Sequence, residues 1–467
     1  MRFSFTFKEK LGRNLYRLIK KSLILQSFCV IYNKRIFLYP IVRNYIAPYL
    51  KNKSVKGVFS LIAGNTTAKL IATLGGLILA NYYGPEAYGV YSIFLSYIMI
   101  LALSATFRLE DLLVLLKVPS EIKNLFSGVL VIIIAFIALF LGGTLLFKWQ
   151  SNLLTGYTYL TLVLIAFGSA LLAWNNLQNS FLTQYKLFHQ LSLSIVITSV
   201  CSVLAQAIFY FIGETTYGLI YGWIIGILIA LLYNAQVSRN KIQKIDINLF
   251  KKSIQRYPEI IRYTFPSDVL NAIANNILPI ITVFYFSTAE IGLYAMATKI
   301  LVLPLMILSE SIAKVFFKKS ASISEQPEKL YQITQKVVFL NMGIMFFFLL
   351  LMNSVGVKIL DLFFQKNWKA IDQYILVLSF WILARSGINP ISNIILILRK
   401  NHYSLIFNIY LLSCNLIAIS LGNLHHSFLL CATVLSLLSG IGYLTLLFLI
   451  FKNLKNNIHV TKNNLEG

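Results

Sequence analysis

Twelve long apolar stretches, separated by gaps that alternate between strongly basic and nearly uncharged, leave this chain few ways to fold. They fall at about 58–80, 88–107, 125–147, 153–174, 191–212, 216–236, 262–286, 291–313, 335–353, 372–397, 402–421 and 428–451. Each supplies the roughly 20 mostly apolar residues a helix needs to cross a hydrocarbon core of about 30 Å. Within hydrocarbon the backbone must satisfy its own hydrogen bonds, so the expected fold is all-α and polytopic, with about 12 transmembrane helices. A chain that is 58% hydrophobic and 12% charged is excluded from the soluble classes.

The charges are sorted with equal clarity. The formal net charge is +25, and 34 of the 41 Lys and Arg lie before the first stretch, after an even-numbered one or in the tail. The alternate gaps hold only Lys148, Lys358, Lys366 and Lys369. Lys and Arg are retained on the cytoplasmic side, so both termini are expected there. The chain divides into a basic N-terminal extension (1–56), a first six-helix lobe (57–236), a basic linker (237–261), a second six-helix lobe (262–451) and a basic tail (452–467). The extension carries Glu9 as its only acid and reads as a topology anchor on anionic membrane lipids. It spells no nucleic-acid reader, and nucleic acid is not an expected partner. Its apolar run from Ser22 to Tyr32 is too short to span and lacks a cleavage site, so no signal peptide is read. Cys29, Cys201, Cys414 and Cys431 have no metal-ligand spacing. Neither a metal nor a cofactor is expected.

The lobes look related. Tyr83-Gly84-Pro85-Glu86-Ala87-Tyr88-Gly89-Val90-Tyr91 follows the first stretch, and Ser287-Thr288-Ala289-Glu290-Ile291-Gly292-Leu293-Tyr294 follows the seventh. Gly89-x-Tyr91 matches Gly292-x-Tyr294, each after a short acidic turn. Two halves with an even number of spans, both starting on one side, are parallel repeats related by an axis along the membrane normal, around a central cleft.

Three cations break the sorting rule by lying inside apolar stretches: Lys69, Lys299 and Arg385. A charge at the bilayer centre costs at least about 2.5–3.5 kcal/mol, so it is expected to face a polar cleft or a partner. Helical spacing groups Asn65 with Lys69, Asp268 with Asn271 and Asn275, Lys299 with Glu310, and Arg385 with Asn389 and Ser392. One reading is that these groups pair with one another, Lys69 with Asp268 for example, and serve packing alone. The other is a cleft in which three cations outnumber the acids Asp268 and Glu310 and an anion is held. Arg108-Leu109-Glu110-Asp111 closes the second stretch either as a snorkelling helix end or as a gate, Arg108 pairing across the cleft mouth. Pro266, Pro279, Pro304 and Pro390 fall within stretches and are expected to bend them.

Over residues 57–451 the chain resembles the polysaccharide (O-antigen type) flippases of the multidrug/oligosaccharidyl-lipid/polysaccharide exporter superfamily. The resemblance is carried by the Tyr83–Tyr91 turn, Arg108-Leu109-Glu110, Leu278-Pro279, Ile291-Gly292-Leu293-Tyr294-Ala295, Leu303-Pro304 before Val315-Phe316-Phe317, and Phe363-Phe364 before Trp368. Gln365 stands where that family usually has Gly. The resemblance implies a carrier, with no covalent chemistry, that moves an undecaprenyl-diphosphate-linked oligosaccharide from the cytoplasmic to the periplasmic leaflet of a bacterial inner membrane, for lipopolysaccharide or other surface polysaccharide. A polysaccharide polymerase and a chain-length regulator are the partners it implies. Lys69, Lys299 and Arg385 would meet the diphosphate, and Asn65, Asn271, Asn275 and Asn389 the glycan. Arg108, Glu110, Asp268 and Glu310 are the candidates for gating or ion coupling. A cation-coupled multidrug exporter of the same superfamily is the alternative. A membrane polymerase fits less well, because the longest gap on the far side, Ser354 to Ile371, offers only Asp361 as an acid, and His425-His426 has no third ligand beside it.

Overall fold

The computed structural model describes residues 53–150, 158–238, 244–323, 326–364, 368–398, 400 and 402–466. The N-terminal extension up to residue 52, and Gln365, lie outside the described residues. The chain partitions into residues 1–60 and Leu61–Gly467, and the account below concerns the second unit.

Among the described residues the fold is helices and short connections, without a strand. The first half comprises α1 (Lys53–Thr106), α2 (Leu109–Leu115), α3 (Pro119–Gln150), α4 (Tyr159–Gln184), α5 (Phe188–Phe211) and α6 (Gly218–Ser238). A linker helix α7 (Ile247–Gln255) follows, and then α8 (Phe265–Thr282), α9 (Thr288–Ser322), α10 (Pro327–Leu351), α11 (Val357–Phe363), α12 (Ile371–Ile388), α13 (Ile394–Ile397), α14 (His402–Leu424) and α15 (Phe428–Glu466).

Ten helical stretches among the described residues are long and apolar enough to cross a membrane. The first of them, Ala63–Thr106, contains two crossings, because α1 is broken at Gly84, where φ is 77° and ψ 172°. That left-handed φ suits glycine, and Pro85 then restarts the helix with its φ preset. The crossing absent from the ten is the seventh. Its helix α8 carries Ser267, Asp268, Asn271, Asn275 and Asn276 and is amphipathic rather than uniformly apolar. The expected ninth crossing proves longer than its apolar run. α10 passes through a π-helical turn, Met352–Gly356, into α11, so the stretch read as a gap from Ser354 is helical to Phe363. Pro266 follows a π-helical turn, Ile260–Thr264, that runs directly into α8, Pro279 and Pro304 lie inside helices, and Pro390 sits in the 3-10 turn ending α12.

The helices pack within each half: α5 on α6 and α3 and α2 on α4 in the first, α12 and α14 on α15, α8 on α14 and α9 on α12 in the second. Large side chains such as Leu139, Phe211 and Leu362 point outward, as lipid-facing residues must. One apolar cluster belongs to both halves and joins Leu79, Tyr83 and Tyr88 of α1 to Ile291, Tyr294, Trp368 and Phe428. Here the two copies of the Gly-x-Tyr motif meet. A Cβ on Gly89 would collide with the carbonyl oxygen of Thr288, and one on Gly292 with that of Pro85. Pro85 precedes Gly89 by one turn, and Thr288 precedes Gly292 by one turn. The contact is reciprocal, as a two-fold axis between parallel repeats requires.

Candidate functional site

The side on which the basic connections lie is called the basic side, and the other the opposite side. At the basic side the second crossing ends in an unusual turn: Phe107 and Arg108 both take left-handed φ angles, 51° and 60°. Non-glycine residues rarely hold this conformation unless their surroundings fix it. Three carboxylates surround the Arg108 side chain. Arg108 Nε lies 2.6 Å from Asp268 Oδ2 across the lobes and 3.4 Å from Asp111, and Nη1 lies 3.9 Å from Glu110. Burial pushes the Glu110 and Asp111 carboxyls up from their ordinary values; a hydrogen bond from Thr106 opposes that rise at Glu110 and the Arg108 charge opposes it at Asp111. The Phe107 and Phe265 rings meet beside this cluster, with centroids 5.1 Å apart.

Deeper in the same interface Lys69 of α1 is ion-paired with Glu310 of α9. The pairing of Lys69 with Asp268 is therefore not formed: each finds another partner across the lobes. Asn65 lies half-buried one turn before Lys69. Asn271 and Asn275 are exposed on α8 and bonded together, the Asn275 amide donating to the Asn271 side-chain oxygen at 2.8 Å. Exposed amides on a membrane-crossing helix mark a face turned to a polar space.

The other two cations have no carboxylate within ion-pair distance among the described residues. Lys299 Nζ donates to the Tyr88 hydroxyl at 2.8 Å and lies 5.5 Å from that ring's centroid. Its ammonium reaches across to Gly76 of α1, where a Cβ would collide with it. Arg385 lies 5.3 Å from the centre of the Trp381 ring, and its buried Nε has no hydrogen-bond partner. Asn389 begins the 3-10 turn beyond Arg385, its carbonyl accepting from Ser392. Of the residues singled out in the sequence, the structure thus brings Lys69 to Glu310 and Arg108 to Asp268, Asp111 and Glu110. It sets Lys299 and Arg385 apart from those pairs.

On the opposite side the lobes are closed by neutral groups. The Trp368 indole N–H donates to the Ala80 carbonyl at 3.1 Å, and the Asn81 amide to the Phe363 carbonyl at 2.6 Å. Trp368 is 1% exposed, stacks on Phe364 and meets Tyr88 edge-on. The closing role of Tyr88 and Trp368 escapes sequence reasoning, although both lie in stretches that carry the resemblance. So does a polar run on α4, Trp174-Asn175-Asn176-Leu177-Gln178-Asn179-Ser180, which a search for amides in apolar stretches would have found.

Residues 78–373 match the family described as polysaccharide biosynthesis protein. The chain belongs to this family. No curated protein matches the sequence. Among solved structures, the lipid II flippase MurJ in an inward closed conformation is similar at 15% identity and a TM-score of 0.68, covering 85% of this chain and 89% of that one. An inward-facing multidrug resistance MATE family transporter of the MOP superfamily is similar at 14% identity and 0.61, covering 85% and 96%. A MOP superfamily transporter from Pyrococcus furiosus, described as having a binding pocket of reverse polarity, is similar at 14% and 0.52, covering 89% and 98%. At these identities the likeness establishes the fold. This polysaccharide biosynthesis protein is a multi-pass membrane protein with the architecture of MOP superfamily transporters.

Proposed function

We propose that the chain is a flippase for a lipid-linked oligosaccharide, moving undecaprenyl-diphosphate with its glycan from the cytoplasmic to the periplasmic leaflet of a bacterial inner membrane by alternating access. The observation that carries this reading is the pair of cations without carboxylates, Lys299 and Arg385. A phenol hydroxyl and an indole face offset only part of the cost of placing a full positive charge within the membrane. A diphosphate would supply the missing counter-charge and accept several charge-assisted hydrogen bonds. Lys69 and Glu310 supply the competitive element, because a diphosphate that draws Lys69 away breaks a contact between the lobes. Asn65, Asn271, Asn275 and Asn389 are available to glycan hydroxyls, and the prenyl chain would stay in lipid. Positive charge without a carboxylate beside it disfavours a cationic drug.

In this orientation the basic side is cytoplasmic, with both termini. Arg108 with Asp268, and Lys69 with Glu310, form the inner gate; Gly89, Gly292 and Trp368 form the outer one. The test replaces Lys69, Lys299 and Arg385 singly with Ala, at matched membrane levels. The expected result for Lys299 and Arg385 is loss of surface polysaccharide, with glycan-loaded lipid accumulating in the inner leaflet. Normal export from all three stable variants would overturn the proposal.

A further inference from the structure

Tyr88 is held from two directions at once. It stands one turn after the break at Gly84, at the start of the second crossing, and is buried. Two residues of the other lobe close on it. The Lys299 ammonium donates to its hydroxyl at 2.8 Å, and the Trp368 ring meets its ring edge-on, with centroids 6.0 Å apart. The same indole donates to the Ala80 carbonyl, and Gly89, the residue after Tyr88, packs on Thr288. All of these contacts run between the lobes, and all lie at the opposite side. Lys299 is therefore both a cation without a carboxylate partner and a member of the outer closure. It also lies at a different depth from Lys69. Lys299 precedes Glu310, the partner of Lys69, by eleven residues on α9, about 16 Å nearer the end where that helix meets Gly89. An anion drawn in from the basic side thus meets Lys69 first and Lys299 later.

We infer that Tyr88 is a positioning residue that couples capture of an anion by Lys299 to release of the outer closure. The inference rests on the reading of the cleft as an anion site. A phosphoryl oxygen is a stronger acceptor for an ammonium than a neutral phenol, so a bound diphosphate takes Lys299 from Tyr88. Tyr88 then keeps Trp368 as its contact across the lobes and loses the other. A ligand shifts a conformational equilibrium by its difference in affinity for the two states. Here the difference is one bond, made when the outer side is closed and given up when the anion is held. Because Lys69 and Lys299 lie three turns apart in depth, the two closures are released in succession rather than together. Coupling of this kind is reciprocal: if the anion weakens the Lys299 to Tyr88 bond, removing the bond strengthens the anion site.

The test uses the purified full-length protein in detergent, with inorganic pyrophosphate as the anion. Binding is read by calorimetry, and outer opening by thiol labelling of Ala80→Cys in a cysteine-free background, since Ala80 is buried beneath Trp368. Pyrophosphate should raise labelling severalfold. Tyr88→Phe keeps the ring against Trp368 and removes the hydroxyl. Its labelling should be raised before any anion is added, should not rise further with pyrophosphate, and its affinity for pyrophosphate should increase by about tenfold. A hydroxyl that serves packing alone would raise labelling without tightening binding, and that result would overturn the inference. Lys299→Met breaks the same bond from the other lobe, so it should raise labelling while weakening binding, and it carries the test should Tyr88→Phe fail to fold. Pyrophosphate binding that leaves labelling of the parent unchanged would overturn the coupling and spare the anion site. Absence of pyrophosphate binding would overturn the anion site and the coupling with it.

Discussion

Lys299 and Arg385 differ in how well their surroundings repay them. A hydrogen bond from an ammonium contributes about 1.5–3 kcal/mol, and a desolvated cation over an aromatic face about 2 kcal/mol. Lys299 has the first from Tyr88, whereas Arg385 has only the second, from Trp381, and keeps a buried donor unused. Arg385 is therefore the cation with more to gain from an anion. The position of Lys299 can be tested without removing its charge. Gly76→Ala places a methyl group against both the ammonium and the Tyr88 hydroxyl, so the bond between them is disturbed, and a gain of about 1 kcal/mol of helix propensity offsets only part of that loss. Transport should fall severalfold while thermal stability falls by about 1 kcal/mol; unchanged transport would show that the ammonium need not reach α1. Arg108 gives a second prediction. Its pair with Asp268 is about one-third exposed and contributes on the order of 1 kcal/mol. Asp268→Asn should thus raise thiol labelling at a cysteine placed at Asn271, in a cysteine-free background, by about fivefold.

At the scale of elements, the breaks matter as much as the helices. Gly84 lets the first two crossings turn without a loop, and Phe107 and Arg108 turn the second crossing into α2. The helices themselves were legible in the sequence, because the bilayer dictates length and apolarity. The amphipathic α8 shows the limit of that signal: the asparagines that make it interesting also remove it from the apolar set. The cross-lobe partners were not legible. Lys69 and Glu310 are far apart in the chain, and which acid a cation meets depends on helix rotation, which spacing on one helix leaves open. Trp368 is a similar case, since its partner is a carbonyl and carbonyls leave no mark in a sequence. Trp368→Phe removes the indole donor to Ala80 and should cost about 1 kcal/mol, whereas Trp368→Ala also leaves a cavity and should cost about 3–5 kcal/mol. Urea unfolding that fails to separate the two variants would show that the indole is not packed as described.

Across the whole molecule the two closures differ in kind. The basic side is held by ion pairs on partly exposed groups, and the opposite side by glycine contact, buried aromatics and neutral hydrogen bonds. Salt screens the first and barely touches the second. Raising ionic strength should therefore increase labelling of cysteines facing the cleft from the basic side and leave labelling from the opposite side unchanged. Equal increases from both sides would contradict the assignment of the two closures. The meeting of Gly89 and Gly292 carries a consequence for how such a chain can diverge. The atom opposing each glycine is a backbone carbonyl of the other repeat, which no change of side chain can shrink or move. Most contacts let a loss in one partner be compensated in the other, but this one admits no compensating pair. The two halves can change everywhere else while each holds the other to its smallest residue here.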